Sequence, residues 1–301
     1  MPTWNEILNK LQVTENPIDK NRRDFLKQLS AYTGRNVIVY YSGWLQKENL
    51  IQKGIRFDIV DADKLGFMST VKGLKKDKGL DLILHTPGGS IAATESIVHY
   101  LRSIFGTNIR AIVPQIAMSA GTMIALSCEE ILMGKHSNLG PIDPQLGGHP
   151  THGIIEEFKK AREEIVANPA TIPFWQSILA KYPPAFVGEC DKAIKWSETM
   201  VQEWLKTGMF KDEKDNDSKR AKISEIVKAL GSHEETHSHS RPIHVDKLTD
   251  LGVKVTPIES DQTLQDLILS VHHSCIITFS QTPSYKIIEN HDGKAFIQIT
   301  N

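Results

Sequence analysis

Cysteine is scarce and scattered in this chain. Cys128, Cys190 and Cys275 are three residues in 301, and none sits in a metal-binding or redox-like pair. That argues against a disulfide framework and leaves all three as small core residues. No apolar run approaches the roughly 18 residues that cross a bilayer. The N-terminal Met1-Pro-Thr-Trp-Asn-Glu lacks the basic-then-apolar layout of an export signal, so a cytoplasmic, thiol-reducing setting is the expectation. Nor does charge of one sign dominate: 35 Lys and Arg face 36 Asp and Glu. No bulk field draws the chain to nucleic acid or membrane, and any partner must be recognised locally. A phosphate loop is disfavoured as well, because Gly88-Gly89 is followed by Ser-Ile-Ala rather than Gly-Lys-Ser/Thr.

What is present is an alternation of short apolar runs and helical patterns, in a chain long enough for one large domain with additions or for two. Asn36–Tyr41, Leu82–His85, Ile109–Val113 and Glu130–Met133 read as strands. Asp61 and Asp63 offer caps for a helix carrying Leu65, Met68 and Val71, and Ser90–Phe105 places Ile91, Val98, Leu101 and Phe105 on one face. Strand, helix, strand, helix, strand with short connections predicts right-handed crossovers and a parallel sheet. Ligands of such sheets bind beyond the carboxyl ends of the strands.

Residues 1–35 read as a helical arm, and about 150–230 as a run of helices. Helix, strand and helix follow over Val245–Leu251, Val253–Ile258 and Leu264–Cys275, and 282–301 closes the chain as a hairpin around Asn290-His-Asp-Gly293. The aromatics of the helical run, Phe174, Trp175, Trp196 and Trp204, suit either a substrate groove or core and subunit contacts.

Three corners at the sheet edge carry the chemistry. Thr86-Pro-Gly-Gly-Ser90 follows a strand and precedes a helix, so its two glycines can turn the backbone with amides facing outward, as an oxyanion site requires. Met118-Ser-Ala-Gly-Thr122 repeats the arrangement one strand–helix unit later. Its Ser119 would stand at a helix N-terminus, where the dipole favours a developing alkoxide and the amide of Ala120 can donate beside those of Gly88 and Gly89. In the third corner, Leu139-Gly-Pro-Ile-Asp-Pro-Gln145, Asp143 lies between two prolines just past a strand.

Taken together, the Pro-Gly-Gly-Ser and Met-Ser-Ala-Gly-Thr corners resemble those of the superfamily of the Clp protease proteolytic subunit and signal peptide peptidase A. Tyr40-Tyr-Ser-Gly-Trp44, Ser119-Ala-Gly-Thr122, Leu139–Gln145 and His237-Ser-His-Ser-Arg-Pro-Ile243 are similar to the serine dehydrogenase proteinase family over most of the chain. The resemblance implies an α/β fold of the Clp/crotonase type: a parallel sheet with flanking helices, a helical insert and an N-terminal helical arm. It makes 36–281 the Clp-like peptidase domain and implies hydrolysis of peptide bonds in a peptide or protein substrate. No cofactor or metal is implied, and the assembly that the resemblance implies is a homo-oligomer.

Carried over by residue, the nucleophile falls on Ser119, the orienting acid on Asp143 and the base on His239. The base has rivals. His237 is the next histidine, and His233 and His244 crowd the same segment. A metal site on His233, His237 and His239 has no regular ligand spacing behind it. Lys135, just past the strand Glu130–Met133, would serve a Ser–Lys dyad if desolvated. An inactive peptide-binding scaffold and a thioester enzyme of crotonase type are the other readings.

Overall fold

The computed structural model describes residues 18–232 and 238–300. The elements are α1 (Ile18–Thr33), β1 (Asn36–Ser42), α2 (Asp63–Val71), β2 (Leu80–His85), α3 (Ile91–Phe105), β3 (Ile109–Val113), α4 (Ala120–Leu126) and β4 (Glu130–Met133). Four helices of the insert follow: α5 (Thr151–Ala167), α6 (Ile172–Leu179), α7 (Phe186–Thr207) and α8 (Asp217–Gly231). The chain then runs through α9 (Val245–Asp250), β5 (Val255–Pro257), α10 (Gln262–Gln281), β6 (Ser284–Asn290) and β7 (Ala295–Ile299).

Seven strands form one sheet in the order β7-β6-β1-β2-β3-β4-β5. From β1 to β5 every pairing is parallel, while β6 pairs antiparallel with both β1 and β7. The expected parallel α/β sheet is thus present, and the C-terminal hairpin extends it rather than hanging from it. Both faces of the sheet are covered. Alternation along the strands sends Ile38, Tyr40, Leu82 and Leu84 into one apolar cluster, and Val37, Val39, Tyr41 and Ile83 into another on the opposite face. Helices α3, α4 and α7 fill out the first cluster, and α1 and α10 the second.

Helix α2 shows where pattern reading went out of phase. Leu65 and Met68 are exposed, while Asp63, Gly66, Phe67, Thr70 and Val71 face inward. Asp63 does not cap the helix start, which has no side-chain cap. It is fully buried beneath it instead, hydrogen-bonded to Tyr40 and ion-paired with Lys286 of β6. Gly66 lets α2 lie against the sheet, since a Cβ there would stand 2.5 Å from Ile288 Cδ1. The polar pair at Asp63 therefore sets the phase, because a buried carboxylate must face its cation.

Candidate active site

The site is assembled where β2 and β3 end. Thr86, immediately after β2, bridges in parallel to Ala117: its N–H donates to Ile116 O at 3.2 Å, and Met118 N–H returns to Thr86 O at 3.0 Å. These bonds bring the glycine turn level with the serine corner. Gly88 (φ +102°) then lies so close to Ser119 that a Cβ on it would meet Ser119 Cβ at 2.7 Å. Only glycine tolerates both that φ and that approach.

Ser119 occupies the N-cap position of α4 with φ 50° and ψ −115°, yet its side chain makes no capping hydrogen bond. Ser90, at the equivalent place before α3, does cap, accepting from Ala93 N–H at 3.3 Å. The two serines look alike in sequence and differ here: Ser119 has a strained backbone and leaves the helix start without a side-chain cap. Ser119 and His239 line the same cavity of about 660 Å³, together with Pro87, Gly88, Gly89 and Trp196.

The amides read as oxyanion donors divide into two kinds. Gly88 N–H turns back to Thr86 Oγ1 at 3.2 Å. Gly89 sits in a parallel bridge with Ile59, in which Ile59 N–H donates to Gly88 O at 2.7 Å and Ser90 N–H to Ile59 O at 2.9 Å. In such a bridge the central residue's own N–H points away from its partner strand. Ala120 is the first residue of α4, so its N–H has no carbonyl within the helix to bond.

Asp143 is delivered by the segment after β4. The Thr122 hydroxyl, on α4, contacts the N–H of Gly140 at 3.0 Å and its carbonyl oxygen at 2.9 Å, tying that segment to the serine helix. Ile142 N–H donates to Leu230 O of α8, and Ser197 Oγ of α7 to Ile142 O, so the insert supports the same stretch. His239 arrives from the other side. An antiparallel bridge joins Leu139 to Ile243 through two bonds of 3.0 and 2.9 Å, bringing His239 to Asp143. There His239 Nδ1 lies 2.8 Å from Asp143 Oδ1, and the carboxylate is fully buried.

Of the other basic candidates, the structure places Lys135 and His244 away from Ser119's cavity. Lys135 is exposed and lines a separate pocket with His244 and Glu259, its backbone N–H donating to Glu259 Oε1. His233 and His237 fall outside the described residues, and no group of metal-ligating side chains forms among those described. Of the insert aromatics, Trp196 reaches the cavity. Trp204 is core, Trp175 is buried with its indole N–H on Glu164, and Phe174 is exposed. Among the described residues no helix is long and apolar enough to cross a membrane. Cys128, Cys190 and Cys275 are all buried thiols.

Pattern reading missed Ile59, which clasps the glycine turn: Phe57 and Ile59 are buried on either side of Asp58, but apolar Val60 breaks the alternation that marks an extended segment. It also missed His85, the last residue of β2. That side chain is fully buried against Trp44, Tyr41 and His272, with neither ring nitrogen hydrogen-bonded among the described residues. Burial pushes its pKa down to about 3.

A mostly parallel, helix-covered sheet, with a serine at one strand–helix corner facing a double-glycine turn at the next, defines a ClpP-like α/β protein. The chain belongs to the family of ClpP-like SDH-type serine proteinases, whose model matches residues 7–270. It is similar to two uncharacterized proteins of Methanocaldococcus jannaschii, 33% and 32% identical over 197 residues, or 65% of this chain. The match spans 58% and 59% of those proteins' own lengths, so each extends well beyond it.

Proposed function

We infer that the chain is a serine peptidase acting on a peptide or protein substrate through Ser119, His239 and Asp143. The observation that carries this reading is the 2.8 Å contact of His239 Nδ1 with a fully buried Asp143, made by a histidine that shares one cavity with an uncapped Ser119. A carboxylate on Nδ1 fixes the tautomer that leaves Nε2 as a proton acceptor.

In the proposed reaction Ser119 Oγ attacks the scissile carbonyl carbon while His239 Nε2 takes the hydroxyl proton. Asp143 stabilises the resulting imidazolium. The carbonyl oxygen becomes an oxyanion between the N–H groups of Gly89 and Ala120, at the positive end of α4. Gly88 contributes its conformation and its closeness to Ser119 rather than its N–H, which Thr86 already holds. Collapse of the intermediate breaks the C–N bond, and His239 returns the proton to the leaving amine. Water then repeats the sequence on the acyl-enzyme.

A Ser–Lys dyad on Lys135 is not supported, because that lysine is exposed and belongs to a different pocket. The reading is tested by a fluorophosphonate probe, which should label the wild-type chain on Ser119 and leave Ser119→Ala unlabelled. Labelling that persists in Ser119→Ala overturns the nucleophile, and undiminished labelling of His239→Ala overturns the base.

A further inference from the structure

Lys286 is the feature of this molecule that neither the peptidase reading nor core packing explains. It enters from β6, its side chain is fully buried, and its Nζ meets three oxygens: Asp63 Oδ1 and Oδ2, each at 3.0 Å, and the backbone carbonyl of Asp58 at 2.8 Å. An ammonium has three donors, so all are used. Asp63 Oδ2 accepts two further bonds, from Tyr40 Oη at 2.8 Å and from Val60 N–H at 3.0 Å. A buried ion pair does not by itself out-stabilise apolar residues of the same volume, so its presence calls for a directional role.

The direction is given by what the cluster holds. It grips the carbonyl of Asp58 and the amide of Val60, the two peptide groups that flank Ile59. Ile59 in turn spends its own N–H and C=O on Gly88 O and Ser90 N–H, the two groups that flank Gly89. The fit leaves no slack, for a Cβ on Gly89 would stand 2.2 Å from Ile59 N. Two successive clasps therefore run from Lys286 and Asp63 to Ile59, and from Ile59 to the Gly89 peptide.

We propose that Lys286, Asp63 and Tyr40 are positioning residues for the oxyanion-binding turn: by fixing Asp58–Val60 they set where the Gly89 N–H points. None of the three lines the cavity that holds Ser119 and His239. The Lys286–Asp63 pair reaches the site through Asp58–Val60, and Tyr40 also interacts with Thr86, which holds the Gly88 N–H. The catalytic half of this inference rests on the peptidase reading above; the structural half does not.

The test uses the neutral double variant Lys286→Met/Asp63→Asn in the full-length chain. The introduced amide keeps an acceptor for Val60 and Tyr40, while the hold on the Asp58 carbonyl is removed and no charge is stranded. Two quantities are read. The first is amide hydrogen exchange at Ile59 and Ser90, the donors of the clasp. It should quicken by about 10-fold or more while β2 core amides at Leu82–Leu84 stay protected. The second is fluorophosphonate labelling of Ser119, whose phosphonyl oxygen occupies the same donors. Its maximal rate should fall about 10- to 100-fold with the half-saturating probe concentration changed less than about 2-fold.

Unchanged exchange at Ile59 and Ser90 in the folded variant overturns the positioning role whatever the labelling shows. Loosened exchange with wild-type labelling overturns its link to the reaction. A wild-type chain that is not labelled at Ser119 defeats the peptidase reading instead, and leaves the exchange result to judge the clasp. Should the double variant fail to fold, Tyr40→Phe, which keeps the ion pair, reads the same two quantities: a smaller rise in Ile59 exchange and a smaller loss of rate are expected, and no change in either overturns the proposal.

Discussion

His239 Nδ1 stands 2.8 Å from Asp143 Oδ1, and the other carboxylate oxygen of Asp143 is buried without a hydrogen-bond partner among the described residues. The histidine is thus the carboxylate's polar contact there. Replacing Asp143 by Asn removes the charge and permits the wrong imidazole tautomer at almost unchanged volume. Labelling of Ser119 should slow by on the order of 10³- to 10⁴-fold, with a melting temperature close to that of the wild type. Labelling within about 10-fold of the wild type would assign Asp143 a structural role only.

Ser119 keeps a φ of 50° that side-chain-bearing residues rarely adopt. Glycine at this position relieves the strain, whereas alanine does not. Ser119→Gly should therefore be more stable than Ser119→Ala by about 1–2 kcal/mol, measured by urea denaturation, with both unreactive to the probe. Equal stabilities would show that the corner is not strained.

Gly89→Ala drives a methyl group into the Ile59 backbone, the nearest atom being Ile59 N at 2.2 Å. Backbone cannot swing aside as a side-chain tip does, so the turn and the extended segment must separate. The expected result is loss of Ser119 labelling by at least about 100-fold with a lowered melting temperature. Gly153→Ala, on α5 with nothing within 4 Å of the new methyl group, is the control that should leave labelling unchanged and not lower the melting temperature.

Acid sensitivity should be written partly by His85. Its folded pKa is depressed to about 3 by burial, and that of His272 is also well below the usual 6.5, through burial and then the neighbouring His85 and His273. The unfolded chain binds protons at these histidines that the folded chain refuses. Their contribution is thus intact above about pH 6.5 and is lost as pH falls from there towards 3. Each histidine adds a slope of up to about 1.4 kcal/mol per pH unit. Urea midpoints between about pH 7 and 4.5 should fall less steeply in His85→Leu than in the wild type; parallel profiles would contradict the neutral, buried state of His85.

How much of this was legible in the sequence follows from the range of each interaction. The glycine and serine corners were readable because they are local: a strand pattern, a turn composition and a helix start occupy consecutive residues. Asp143 drew notice by its place between two prolines past a strand, whereas His239 lies on a segment whose own pattern says little; the family resemblance gave both their roles. Their meeting depends on the Leu139–Ile243 bridge, a pairing of residues about a hundred positions apart that no local pattern encodes. Asp63 was misread as a cap because a carboxylate before a helix ordinarily is one. Its partner, Lys286, lies in a strand whose alternation gave no sign that a lysine would point inward.

The place of β6 in the sheet also bears on when the protein acquires its proposed chemistry during synthesis. The serine corner and the glycine turn are made in the first half of the chain, yet the strand that carries Lys286 is inserted beside β1 only after residue 284 has been translated. A growing chain therefore holds Ser119, the proposed nucleophile, long before it can brace the turn opposite, and before the proposed base His239 is made. On the peptidase reading, the order of synthesis delays the complete site until the last strands are made.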